Sequence, residues 1–164
     1  MKKIIKKLIF FSGVFFISIL FFYLYSFQNT FSLSNAQKEI INNLGRPDQF
    51  VITYLPQGDE KLIRSELWFY FSTKQKFSFL GGELVDSEKI KENISGRSST
   101  ILKTEDFDFY TSFKDIKKRK ELSDLNLVDA PVFNDKENDL QTYVSAKAIF
   151  IFEKGYLSYM ETLD

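Results

Sequence analysis

Residues 8–27 read LIFFSGVFFISILFFYLYSF, a run of about twenty residues with no charge inside it. As a helix rising about 1.5 Å per residue, it matches a hydrocarbon core of about 30 Å. Ser12, Ser18 and Ser26 do not spoil the match, because a hydroxyl can bond back to the preceding helical turn. Tyr23 and Tyr25 sit near the distal end, where an amphipathic ring suits the membrane interface. Lys2, Lys3, Lys6 and Lys7 precede the run, and the next charge beyond it is Lys38. The positive-inside bias therefore predicts a cytoplasmic tail at 1–7, a transmembrane helix at 8–27, a connector at 28–33 and an exported remainder. The competing reading is a cleaved secretory signal, for which Ser34-Asn35-Ala36 offers small residues. Secretory apolar regions usually run about 7–15 residues, shorter than this one. Both readings export the domain, and the anchored one makes the lipid bilayer its first partner. With no cysteine, a lipid-modified anchor is excluded.

Composition then bounds the exported part. Removing the four leading lysines from 22 basic residues leaves 18 against 22 acidic ones, a balance of 18 − 22 = −4. A mildly acidic domain is a poor match for nucleic acid. No disulfide is possible, so stability must come from packing, for which 19 Phe and 8 Tyr supply apolar area. Three prolines and seven glycines argue against disorder.

Within 34–94, Ser34 and Gln37 have the spacing of a capping box. Ala36, Ile40, Ile41 and Leu44 fall on one helical face, Gly45 suits a helix end, and Pro47 forbids continuation. A helix is predicted at 35–44. Strands are predicted at 50–55, 62–72 and 76–80, broken at Pro56-Gln57-Gly58-Asp59 and around 73–75. Gly81-Gly82 suggests a bulge, 83–85 a continuation of the strand, and 86–93 a weak helix or loop. On the second strand Ile63, Leu67, Phe69 and Phe71 alternate with Arg64, Glu66, Trp68 and Tyr70. The first set is expected to seat the helix. The second then forms an outward aromatic patch with a charged rim, unless another part of the chain covers it.

The order Leu44-Gly45-Arg46-Pro47-Asp48, Trp68-Phe69-Tyr70, Phe77, then Gly81-Gly82-Glu83-Leu84-Val85 resembles the SmpA/OmlA (BamE-like) domain over about residues 34–85. That resemblance implies a short helix ending in a Leu-Gly-x-Pro turn and packed on a small antiparallel sheet. Family members are typically outer-membrane lipoproteins, and the lipid-accepting cysteine is missing here. Residues 95–164 echo the first half. Ser112 and Asp115 repeat the capping spacing before FKDIKKRKEL, and Leu127 to Phe133 echoes Leu44 to Phe50. A strand pair follows at 140–152 and 156–160, with 101–110 adding a strand between the halves. The expected fold class is thus α+β, a transmembrane helix followed by one or two αββ units. Two such units also resemble the architecture of secreted β-lactamase-inhibitor proteins, a likeness that transfers no target.

The search for chemistry is mostly negative. Without His or Cys, thiol nucleophiles and Ser-His-Asp triads are excluded, as are nearly all structural zinc sites. No phosphate-binding glycine motif occurs, and no cofactor is expected. Asp106 and Asp108 share a strand face in this reading and can be weighed as a cation site or an acid–base pair. The run 134–139 (NDKEND) offers oxygen ligands but lacks the glycine and the terminal Glu of a calcium loop. Both are read as solvated surface, as is Lys117-Lys118-Arg119-Lys120, whose rival role is contact with anionic lipid. The expectation is a non-enzymatic, membrane-held binding or envelope-assembly module. Trp68, Tyr70, Arg64 and Glu66 are its candidate contact residues, and an envelope or extracellular protein is its partner. The alternatives are an inhibitor of an envelope enzyme, or an accessory enzyme or sensor for an envelope ligand.

Overall fold

A computed structural model describes residues 31–58, 61–91, 99–128 and 139–163. Helix α1 (Asn35–Leu44) has the limits its sequence signals demand. Ser34 Oγ accepts from the Gln37 amide at 3.1 Å, and Gln37 Oε1 accepts from the Ser34 amide at 2.9 Å. Two of the amides that a helix start leaves unpaired are thereby satisfied. The helix stops at Gly45, whose backbone lies at φ 83° and ψ −169°, a region essentially reserved for glycine.

Strands β1 (Gln49–Gln57), β2 (Lys61–Tyr70), β3 (Gln75–Leu80) and β4 (Glu83–Lys89) follow as an antiparallel meander. Strands β5 (Asn126–Leu127), β6 (Leu140–Val144), β7 (Ala148–Glu153) and β8 (Tyr156–Thr162) form a second one. The two are not separate units. Strands β1 and β8 pair antiparallel, giving one eight-stranded sheet in the order β4-β3-β2-β1-β8-β7-β6-β5. Thr162 fastens this seam. Its Oγ1 accepts from the Phe50 amide at 2.8 Å and donates to the Phe50 carbonyl at 3.2 Å.

This corrects the expected fold class. Tandem αββ units would leave β1 and β8 with open edges, rows of unpaired backbone groups that favour joining. Joining them merges the halves into a single sheet in which every described pairing is antiparallel. Among the described residues no helix is long and apolar enough to cross a membrane. The segment expected to do so, 8–27, lies outside them.

Local corrections follow from the same packing. The strand expected at 101–110 is instead an irregular crossing with one 3₁₀ turn (Thr104–Asp106). It lays Phe107 onto the sheet, with ring centroids 6.5 Å from Phe50 and 5.8 Å from Phe150. Of the residues expected as a weak helix or loop after Val85, Asp86 to Lys89 belong to β4. The long strand expected at 140–152 is broken at Ser145, whose Oγ accepts from the amides of Lys147 and Ala148. The second capping box forms, but α2 (Phe113–Lys117) is only five residues long.

Replacing Gly45 by Ala forces a side chain into a glycine-only conformation, although open space surrounds it. The expected loss is about 1–3 kcal/mol, read from urea unfolding midpoints.

Candidate functional site

Arg64, Glu66, Trp68 and Tyr70 do lie together on one face of β2, but that face is the inner one. Trp68 is 0% exposed, Glu66 1%, Tyr70 2% and Arg64 7%. Helix α1 covers them, with Ile40, Ile41 and Leu44 packed against the core. Ile63, Leu67 and Phe69 are half-buried on the opposite face. Strand register decides the matter. Trp68 stands between Phe50 and Phe77, and Glu66 between Ile52 and Phe79, all buried. Leu67 stands between Val51 and Ser78, and Phe69 between Gln49 and Lys76. The neighbouring strands therefore place their aromatic residues beside Trp68.

The buried charge is fully engaged. Glu66 Oε1 accepts from Gln37 Nε2 at 2.8 Å and Arg64 Nε at 2.9 Å, while Oε2 accepts from Trp68 Nε1 at 3.0 Å. The Arg64 guanidinium also donates to the carbonyls of Phe107 and Thr104 and reaches the Tyr54 hydroxyl at 3.4 Å. Tyr70 donates to the Gly45 carbonyl at 2.9 Å, and burial pushes its hydroxyl pKa far above the usual phenol value. No oxygen of this cluster is presented to a ligand. It is a clasp between helix, sheet and the 99–111 crossing.

The crossing carries the clasp's geometry outward to a second group of aromatics, this one exposed. Asp108 to Thr111 makes a tight turn. The Thr111 amide donates to the Asp108 carbonyl at 3.1 Å, and Thr111 Oγ1 accepts from the Asp108 amide at 2.8 Å. Its two central residues are Phe109 and Tyr110, where turn chemistry favours Gly, Asn, Asp or Pro. The Leu157 amide pins the turn through the Phe109 carbonyl at 3.2 Å. The Phe109 and Tyr156 rings stack at 4.8 Å with 7° between planes, and Tyr110 meets Tyr156 edge-on at 6.1 Å. Tyr54 closes the back at 5.4 Å from Phe109. Burial, opposed by the nearby Arg64 charge, raises the Tyr54 hydroxyl pKa. Tyr110 is 58% exposed and Tyr156 45%. Tyr54, Phe109 and Tyr156, with Leu62, Ser158 and the charges of Glu153 and Lys154, line a cleft of about 250 Å³, and Tyr110 stands beside it against Tyr156.

The other sequence candidates do not converge. Asp106 is engaged by Arg119 at 3.1 Å, and Asp108 Oδ1 accepts from Thr111 Oγ1 at 3.1 Å within its own turn. Arg119 also lies over the Phe107 ring at 4.6 Å, which removes it from any basic stripe. Of the 134–139 loop only Asp139 is described, so its ligand potential lies outside the described residues. Gly45 and Pro47 act as punctuation. Beside them, Asp48 ties the turn to β2 by accepting from the Phe71 amide at 2.7 Å.

Compared with known proteins, the chain matches no family model, no curated protein and no solved structure. The SmpA/OmlA resemblance therefore rests on the Leu44-to-Asp48 turn and the strand residues that follow it. The sequence did contain a signal for the exposed site that alternation had hidden. Asp108 and Thr111 bracket two large aromatics at turn spacing, and such a turn must present them.

Two predictions follow from the clasp and its surroundings. A capping box accepts Glu as readily as Gln, so Gln37→Glu preserves the cap. It also sets a second carboxylate against buried Glu66, and a loss of about 3 kcal/mol or more in urea is expected. The second concerns Glu105, 2.6 Å from Arg46. Burial pushes the Glu105 carboxyl up, but the hydrogen bond and charge of Arg46 outweigh it and hold the pKa below the usual range. A depressed folded pKa stabilises above the unfolded value of about 4.3 and ceases to do so as pH falls through the folded one. Arg46→Gln is therefore expected to lower stability near neutrality by under about 1 kcal/mol. The gap between variant and parent should close below about pH 4.

Proposed function

We propose that this chain is a non-catalytic binding module working outside the cytoplasm, where the lysine-led apolar segment 8–27 delivers it and keeps it near the membrane. Its partner is an envelope or extracellular protein, gripped by the aromatic end of the sheet. The observation that carries this reading is the Phe109–Tyr110 turn stacked on Tyr156. The turn's ordinary backbone does not call for large aromatics at its centre, yet Tyr110 stands there 58% exposed. Exposed tyrosines with an apolar body and a polar tip are also the residues that dominate protein interfaces. The charged rim of Glu153 and Lys154 fits the same picture. The cleft walls of Tyr54, Leu62, Phe109 and Tyr156 offer apolar surface edged by hydroxyls, which suits the capture of a partner side chain.

A photo-reactive phenylalanine analogue at Tyr110, expressed in the producing cells, is expected to give one discrete protein adduct. The same probe at Leu127, exposed on the far edge strand, is expected to give none. Adding Tyr156→Ala should remove the adduct while changing stability by no more than about 0.5–1 kcal/mol. Equal labelling at both positions, or no adduct at Tyr110, would sink the proposal.

A further inference from the structure

The face of the sheet turned away from α1 has a separate peculiarity. One cross-strand row runs Val144, Ile149, Glu161, Val51, Leu67 across β6, β7, β8, β1 and β2. Four of its five members are aliphatic, and a carboxylate stands at the centre. The adjacent row runs Thr142, Ile151, Tyr159, Thr53. Val128, Thr142, Val144, Ile149, Ile151, Tyr159 and Glu161 bound a depression of about 390 Å³, a size typical of ligand sites. Glu161 is half-buried, and its Oε2 accepts from the Tyr159 hydroxyl at 2.7 Å. Burial, with that bond and the Glu161 charge, raises the Tyr159 pKa, so the hydroxyl stays protonated. No ion pair engages Glu161 among the described residues, in contrast to Glu66, Glu88, Glu105 and Asp106.

A carboxylate flanked by aliphatic side chains loses hydration whenever anything apolar covers it, and a cationic donor compensates that loss most strongly. We propose that this face is a second binding surface, independent of the aromatic cleft. It receives a partner polypeptide that presents a lysine or arginine between aliphatic side chains. The cation meets the Glu161 carboxylate and accepts support from the Tyr159 oxygen, whose lone pair remains available while its proton points at Glu161. The flanking aliphatics lie on Ile149, Ile151 and Val144. Charge argues against a second copy as occupant. A two-fold apposition brings Glu161 toward its own equivalent, on a domain already carrying a net −4 after the four leading lysines (18 − 22).

The test uses the full-length chain in detergent micelles, probed with random linear peptides displayed on phage. Recovered sequences are expected to be enriched in Lys or Arg flanked by Val, Ile or Leu. A synthetic peptide from that set should bind about tenfold or more weakly to Glu161→Gln, and binding should persist in Tyr110→Ala. Panning against Glu161→Lys should shift the enrichment to acidic peptides. Unchanged thermal unfolding of Glu161→Gln separates lost binding from lost fold. Four results would each overturn the proposal: no recovered peptide, no basic enrichment, equal affinity for Glu161→Gln, or competition by neutral lipid vesicles or by self-association that abolishes peptide binding. Loss of binding in Tyr110→Ala alone would instead assign the peptides to the aromatic cleft.

Discussion

One buried carboxylate, that of Glu66, sets the conditions for the rest of the structure. A charge in an apolar interior is tolerated only when donors surround it, and an unpaired one is strongly destabilising. Its three donors come from different places. Gln37 belongs to α1, Arg64 lies one turn of the pleat away on β2, and Trp68 lies one turn the other way. Gln37 in turn holds the helix cap, so the helix start and the sheet centre are locked to each other through a single amide side chain. Arg64 extends the chain of dependence to the Thr104 and Phe107 carbonyls. Those residues lead directly into the Asp108–Thr111 turn. The exposed aromatics thus inherit their position from a charge deep inside the domain.

The two faces of the sheet follow opposite rules. Inside, polar groups occur as a closed network whose partners are supplied by the chain itself, which low dielectric makes strong and unforgiving. Outside, a mostly aliphatic row crosses five strands, and Glu161 at its centre keeps one hydrogen-bond partner among the described residues, Tyr159. Disulfides are absent, so nothing covalent compensates for a disturbed interior. Tyr110 and Tyr156 pack against other rings at the sheet's end but stand outside that buried network.

Much of the first half was legible because its signals are local. Ser34, Gln37, Gly45 and Pro47 mark helix limits within a dozen residues, and Pro56-Gln57-Gly58 marks the first hairpin, whereas Gly81-Gly82, read as a bulge within one strand, is the turn between β3 and β4. Two things were not local. The inward face of β2 is chosen by Phe50, Ile52, Phe77 and Phe79 on its neighbours, so counting apolar residues along β2 alone selects the wrong side. The β1–β8 seam joins Phe50 to Thr162, 112 residues apart, and no spacing rule reports that. The candidate site suffered from both effects. Trp68 and Tyr70 fit an interface patch equally well on paper, since an amphipathic ring can bury its body and satisfy its polar atom internally. Phe107 and Phe109 alternate like strand residues, yet one plugs the core and the other caps an exposed turn.

The seam between β1 and β8 also orders events in time. Loop closure over such a separation is entropically slow, and sheets dominated by distant pairings form late. The first four strands therefore exist for a while as a meander whose innermost edge, Val51 to Thr53, awaits its mate. During that interval the edge is open to strands from other chains. Synthesis runs from β1 toward β8, so the hazard persists until the chain has been made almost to Thr162. The sheet is complete only when β8 meets β1.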